Sequence, residues 1–149
     1  AIEQRKLFLV KNGIGICDMV NHCHREKIDA SDLGMQHIKL RDLLAYLKDY
    51  KAIKNLLFMG GNSKNGPEFL FRSHLHSMGL KLIPLSTNRP KIHEFVLDGR
   101  SIRTVSLISP SSAANRSIGA DPYYKIQKVK NQKFTTLDFR IEQYRKYFS

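Results

Sequence analysis

The sequence has few cysteines, no tryptophan and no long hydrophobic run, and these scarcities exclude several classes of protein. Two cysteines, Cys17 and Cys23, are too few for a disulfide framework and favour a reducing compartment, so we expect a cytoplasmic protein. No apolar run approaches the ~20 residues of a membrane-spanning helix, and residues 1–7 lack a secretory hydrophobic region, so no membrane association is expected. His22 and His24 flank Cys23 without the spacing of paired zinc ligands, so neither a metal nor a cofactor is predicted.

Acidic residues are also scarce, with 13 Asp and Glu against 25 Lys and Arg, and the formal net charge is +12. Such an excess favours a polyanionic partner, usually nucleic acid, although a basic protein can also be basic for solubility alone. The basic residues are spread along the chain rather than gathered in one tail. The fold must therefore assemble any nucleic-acid footprint.

The length of 149 residues fits one domain, residues 1–149, and hydrophobic periodicity predicts that it is α/β. The Asp98-Gly99 pair is typical of a two-residue hairpin turn. Predicted helices lie at 2–11, 40–50 and 67–78 and from Thr135 or Thr136 to the C terminus; predicted strands lie at 53–59, 80–85, 93–97 and 101–108. Residues 13–20 are predicted to be a tightly packed extended segment, and 24–36 a long connection.

Apolar residues at helical spacing predict the buried face of three helices. These residues are Leu7 and Val10 in the first helix, Phe71, Leu75 and Met78 in the third, and Leu137, Ile141, Tyr144 and Phe148 in the last. Asp18 is the only acid in the apolar segment 13–20. A buried carboxylate is costly unless it is hydrogen-bonded, so Asp18 is either a turn or helix cap or a functional acid.

Two loops that follow predicted buried strands are candidate binding sites. The first, Gly60-Gly61-Asn62-Ser63, lacks the spacing of a phosphate-binding P-loop. It does lie where a strand passes into a helix, which is where open α/β sheets bind ligands. On its own, a glycine-rich turn of this kind can equally be a plain connection.

The second loop, residues 109–117, follows the strand that ends at Ile108. Its small side chains permit close approach of a ligand, and Pro110 stiffens its backbone. Its serine hydroxyls suit phosphate oxygens, and Asn115 and Arg116 can contact base edges or phosphates. A serine-rich connection with ordinary helix capping has the same composition, so both interpretations stay open.

The order and spacing of three stretches resemble the uracil-DNA glycosylase superfamily, above all its mismatch-specific and hypoxanthine-type branches. Residues 13–20 resemble the family segment Gly-Ile-(Ala/Gly)-Leu-x-Asp-x-Val, and residues 53–63 resemble its central strand and the glycine-containing turn that faces the base pocket. Residues 109–116 resemble the Ser/Asn-Pro-Ser…Asn-Arg loop that enters the DNA minor groove.

The resemblance implies a three-layer α/β/α domain with a small, mostly parallel central sheet. It also implies a monomer that hydrolyses the N-glycosidic bond of uracil, or another deaminated base, flipped from double-stranded DNA. Asp18 would support the hydrolytic water or the pocket. The base pocket would contain Gly60, Gly61, Asn62 and Ser63, and the DNA-binding loop Ser109, Pro110, Ser111, Ser112, Asn115 and Arg116.

One feature of the family has no counterpart here. The family's first strand ends in a Gly- and Pro-containing motif whose Asn or Asp positions water, and nothing before Ile2 resembles it. We therefore expect either an N-terminally incomplete glycosylase or a different activity. The alternatives are a non-catalytic basic nucleic-acid-binding module of the same fold and a small-molecule enzyme acting on nucleosides or nucleotides.

Overall fold

The structure is a computed structural model that describes residues 1–28, 31–60 and 63–148. It is a mixed α/β fold, as the periodicity predicts. The helices are α1 (Ile2–Lys11), α2 (Leu43–Asp49), α3 (Pro67–Ser77), α4 (Asn115–Ala120), α5 (Pro122–Lys130) and α6 (Thr136–Phe148). The strands are β1 (Val20–His24), β2 (Gln36–Leu40), β3 (Asn55–Met59), β4 (Ile83–Ser86), β5 (Lys91–Leu97) and β6 (Arg100–Leu107). In this part of the chain, no helix is long and apolar enough to cross a membrane.

The main sheet has four strands in the order β3-β6-β5-β4, and β1 and β2 form a separate antiparallel pair. Within the main sheet β3 and β6 run parallel, whereas β6 with β5 and β5 with β4 run antiparallel. The expectation of a mostly parallel sheet is therefore wrong. The reason lies at Asp98 and Gly99, whose φ angles of 51° and 75° form the tight turn that reverses the chain between β5 and β6.

The main hydrophobic core lies between one face of this sheet and the helices α2 and α3. Phe71 of α3 is fully buried, with its ring centroid 5.3 Å from those of both Phe58 on β3 and Phe95 on β5. Leu47 of α2 and Leu75 of α3 are also fully buried in this cluster. The structure confirms Phe71 and Leu75 as core residues, but Met78 is 58% exposed because α3 ends before it.

A second, smaller cluster joins α4, α5 and α6 beside the end of β6. It contains Ile118, Phe134 and Phe139, with Ile108 and Tyr124 packed against them. The predicted buried stripe of α6 is wrong, because Leu137 is 61% exposed while Phe139 and Arg140 are buried. The helix is rotated toward a face whose polar side chains bind the loop after β6.

The N-terminal region folds differently from its sequence pattern. Helix α1 has the predicted bounds, but none of its residues is buried, and Leu7 and Val10 are 68% and 80% exposed. Residues 13–18 are not tightly packed, since Ile16 is 78% exposed, whereas Met19 is buried in the main core and β1 begins at Val20. The alternation of glycine with apolar residues reflects an exposed connection rather than a packed strand.

Candidate functional site

The carboxyl ends of β3 and β6 open into a cleft of about 940 Å³. Gly60 and Ser63, which follow β3, line this cleft, as do Ser109, Pro110 and Ser111, which follow β6. Parallel strands end at the same edge of a sheet, so the loops that leave them meet there. Both loops singled out in the sequence therefore border one cavity.

Four of the described residues that were predicted as site residues, Asp18, Ser112, Asn115 and Arg116, do not line this cleft. Ser112, Asn115 and Arg116 belong to the loop that borders the cleft, but they are not among the described residues that line it. Gly61 and Asn62 of the predicted base pocket lie outside the described residues. Asp18 is exposed and borders a depression of about 380 Å³ that adjoins the cleft, since Asp32 and Pro67 line both. Its carboxylate is therefore not buried, and the desolvation argument for a functional Asp18 does not hold.

Arg140 of α6 holds the loop that follows β6. Its side chain is only 7% exposed, and its Nε donates to the carbonyl oxygen of Ser109 at 2.9 Å. Its Nη2 donates to the carbonyl oxygen of Ser111 and to Oδ1 of Asn115, each at 2.8 Å. One planar guanidinium thus fixes both ends of the segment between Ser109 and Asn115.

Two further side chains of α6 hold the residue just before this loop. The backbone N–H of Ile108 donates to Oε1 of Gln143 at 2.7 Å, and the hydroxyl of Tyr144 donates to the carbonyl oxygen of Ile108. Burial raises the pKa of Tyr144 above its ordinary value, against a smaller lowering by the Arg140 charge, so the hydroxyl stays a proton donor at neutral pH. Arg140, Gln143 and Tyr144 are three and four residues apart and share one helix face.

Four charged residues line the cleft. Arg89 and Lys91 precede or begin β5, Asp32 lies in a short 3-10 turn, and Asp121 caps α5. Oδ1 of Asp121 accepts the backbone N–H groups of Tyr123 and Tyr124 at 2.8 and 3.4 Å, which is an ordinary capping role. Of the two described acids of the cleft, Asp32 is exposed and caps no helix, so its carboxylate is free to contact water.

A row of buried polar side chains lies on the α3 side of the sheet. Ser106 and His93 are each 7% exposed and Thr104 is fully buried. Within residues 1–28, 31–60 and 63–148, three of their atoms have no hydrogen-bond partner: Oγ of Ser106, Oγ1 of Thr104 and Nδ1 of His93. Burial lowers the pKa of His93, and the nearby Glu68 carboxylate opposes this shift. Of the three, Ser106 also lines the cleft.

The buried Glu68 beneath this row is paired within α3. Its Oε1 accepts a hydrogen bond from Nε of Arg72 at 3.0 Å, one turn further along the helix.

Cys17 and Cys23 are free cysteines, and residues 1–28, 31–60 and 63–148 contain no group of three His, Cys, Asp or Glu residues able to hold a metal.

No protein-family model, curated protein or solved structure matches this chain. The resemblance to the uracil-DNA glycosylase superfamily therefore stays a prediction, and so do the roles that it implies for individual residues.

Proposed function

We propose that this protein is a DNA base-excision glycosylase that hydrolyses the N-glycosidic bond of uracil or another deaminated base, acting as a monomer with a uracil-DNA glycosylase-like three-layer fold. One observation carries the proposal: the turn after β3 and the Ser109–Ser111 loop after β6 line a single cleft. The cleft volume of about 940 Å³ lies within the range of ligand pockets and can hold a nucleotide.

The loop after β6 suits insertion into a duplex. Pro110 and Ser111 are exposed at its tip, while Arg140 holds the backbone behind them. Flipping a base out of the stack costs a few kcal/mol, and a rigid loop that fills the gap offsets part of this cost. The flipped base would lie in the cleft against apolar side chains such as Met59 and Ile108.

The reaction needs a nucleophilic water and stabilisation of the leaving base. Water attacks C1′ of the deoxyribose, the C1′–N bond breaks, and the base departs with the bonding electron pair and is protonated. Asp32 is positioned in the cleft to orient this water and accept its proton. Hydroxyls and backbone N–H groups of the lining loops can stabilise the charge that develops on the base.

The charge distribution supports DNA as the substrate. Residues 109–148 contain eight Lys and Arg and three Asp and Glu, so the chain that follows the inserting loop is strongly basic. Arg116 is exposed one residue after Asn115 and can contact a phosphate beside the loop.

The test is cleavage of duplex oligonucleotides that contain a single uracil, hypoxanthine or xanthine. The wild-type protein should produce abasic sites in at least one of them. The variant Asp32→Asn should reduce the cleavage rate by about 100-fold or more, the usual effect of losing an acid or base. Asp49→Asn, at an exposed carboxylate at the end of α2 that does not line the cleft, serves as the control and should cleave like the wild type. Absence of abasic product from all three substrates would refute the proposal.

The second candidate is a non-catalytic DNA-binding module of the same fold. The position of Asp18 outside the cleft favours it, because Asp18 was the acid that the sequence suggested for catalysis. This candidate predicts salt-sensitive binding to duplex DNA without any abasic product. The cleavage assay and a filter-binding titration at several salt concentrations separate the two.

A further inference from the structure

We infer that Ser106 forms the hydrogen-bonding floor of the cleft and that its hydroxyl binds the polar edge of a nucleobase. The assignment of the ligand class rests on the proposed function, but the site itself rests on the geometry of Ser106. The hydroxyl is buried, it has no hydrogen-bond partner among the described residues, and its residue lines the cleft.

The sheet register fixes where Ser106 lies. It pairs with Phe58 of β3 on one side and with Lys91 of β5 on the other. Paired residues of adjacent strands project from the same face of a sheet, so Ser106 lies between an apolar ring and a half-buried lysine at the carboxyl end of β6. The cleft lies at this edge of the sheet, because residues of both faces line it: Ser106 and Lys91 of this face and Met59 of the other.

A buried hydroxyl without a partner is unusual, because the hydrogen bond that it loses on folding is not replaced. The oxygen has almost no accessible surface, so a ligand in the cleft supplies the missing partner when the Ser106 side chain rotates toward it. The hydroxyl can both donate and accept, so it can match either kind of group on the edge of a base. It carries no charge, and the adjoining cleft wall includes the apolar side chains of Met59 and Ile108, which suits a planar ring. The neighbouring Lys91 would attract a phosphate, so phosphate is tested as a separate ligand.

Thr104 supplies a matched control on the same face of the same strand. It lies two residues before Ser106, it is fully buried, and its hydroxyl also has no partner, but it does not line the cleft. Replacing either hydroxyl with an apolar group removes an unsatisfied polar atom from the interior. Both Ser106→Ala and Thr104→Val should therefore leave the melting temperature unchanged or raise it.

The experiment measures binding of free uracil, hypoxanthine and their 2′-deoxynucleosides to the full chain by NMR titration, with inorganic phosphate as a separate ligand. We expect Ser106→Ala to weaken the tightest of these base ligands about 3- to 10-fold, the effect of one neutral hydrogen bond. Thr104→Val should bind like the wild type. A gain or no change in melting temperature together with weaker binding distinguishes a ligand contact from a structural role.

Three results would overturn the inference. They are equal binding by Ser106→Ala and the wild type, no binding of any base or deoxynucleoside up to its solubility, and a dependence on Ser106 for phosphate but not for bases. Cleavage of duplex DNA tests the proposed function separately. If base binding depends on Ser106 but no abasic product forms, the glycosylase proposal is refuted and the inference about Ser106 stands. If DNA is cleaved but base binding does not depend on Ser106, the inference is refuted and the glycosylase proposal stands.

Discussion

Replacing Arg140 with methionine should loosen the loop after β6 and destabilise the fold. Methionine keeps much of the apolar stem but removes the guanidinium that donates to Ser109, Ser111 and Asn115. Because Arg140 is only 7% exposed, its guanidinium is enclosed by protein, and no other side chain can take over these hydrogen bonds unless the loop rearranges. The change therefore isolates the link between α6 and the cleft.

The magnitude follows from two opposing effects. A hydrogen bond from a charged donor contributes about 1.5–3 kcal/mol, and three of them connect Arg140 to the loop. Burying the guanidinium has a desolvation cost that the variant no longer bears, and water can reach some of the exposed loop oxygens. We expect a net loss of about 2–4 kcal/mol in the free energy of unfolding, or roughly 5–15 °C in melting temperature.

Urea unfolding followed by far-UV circular dichroism measures the free energy, since the chain has no tryptophan. Amide hydrogen exchange measures the loop, where the N–H of Ile108 binds Gln143 and that of Ala114 binds Ser111. Both amides should exchange faster in Arg140→Met. The exposed Arg145 of the same helix provides the control variant Arg145→Met, which should change neither quantity. An Arg140→Met protein within about 0.5 kcal/mol of the wild type and with unchanged loop exchange would refute this account.

Three further predictions test the core, a helix cap and a buried histidine. Phe71→Ala should lower the free energy of unfolding by about 3–5 kcal/mol, because Phe71 is fully buried. Met78→Ala should change it by less than about 0.5 kcal/mol, because Met78 is 58% exposed. Equal losses in the two variants would contradict the observed end of α3. Asp42→Ala should cost about 1 kcal/mol in the same urea assay, because Oδ1 of Asp42 accepts the Ala45 N–H at 3.1 Å at the start of α2. Burial lowers the pKa of His93 below 6.5. The charges of Arg72 and Lys91 lower it further, and the Glu68 carboxylate opposes the shift. The unfolded chain therefore binds a proton on His93 more readily than the folded protein does. The stability associated with His93 is therefore complete above about pH 6.5 and declines as the pH falls, and His93→Gln should reduce the loss measured between about pH 7 and pH 5.

Local chemistry was sufficient to predict much of the secondary structure. The Asp98-Gly99 turn fixes a hairpin without help from the rest of the chain, because both residues tolerate positive φ. Pro67 begins α3, where its missing N–H needs no partner. The general rule that ligands bind at the carboxyl ends of parallel strands also placed the two candidate loops beside one another.

The buried face of α6 could not be predicted in this way, because a tertiary hydrogen-bond network determines it. Periodicity favoured Leu137 and Ile141, which are 61% and 37% exposed, over a stripe that contains Arg140. An arginine is rarely buried unless its donors are satisfied, and here the acceptors are backbone oxygens more than 24 positions earlier in the chain. The sequence does contain a weak indication, since Arg140, Gln143 and Tyr144 have the spacing of one helix face.

The same network affects what the loop after β6 can bind. The carbonyl oxygens of Ser109 and Ser111 are directed toward Arg140, so these negative ends of the backbone dipoles are neutralised inside the protein. The outer surface of the loop consequently presents serine hydroxyls and the exposed Arg116 to solvent, with a fixed positive charge behind it. A loop arranged in this way favours a partner with a negatively charged backbone, such as a nucleic acid, over a positively charged partner or one with few hydrogen-bond acceptors. The position of one buried guanidinium thus accounts for the shape of the loop, and it supports the proposed contact with DNA phosphates.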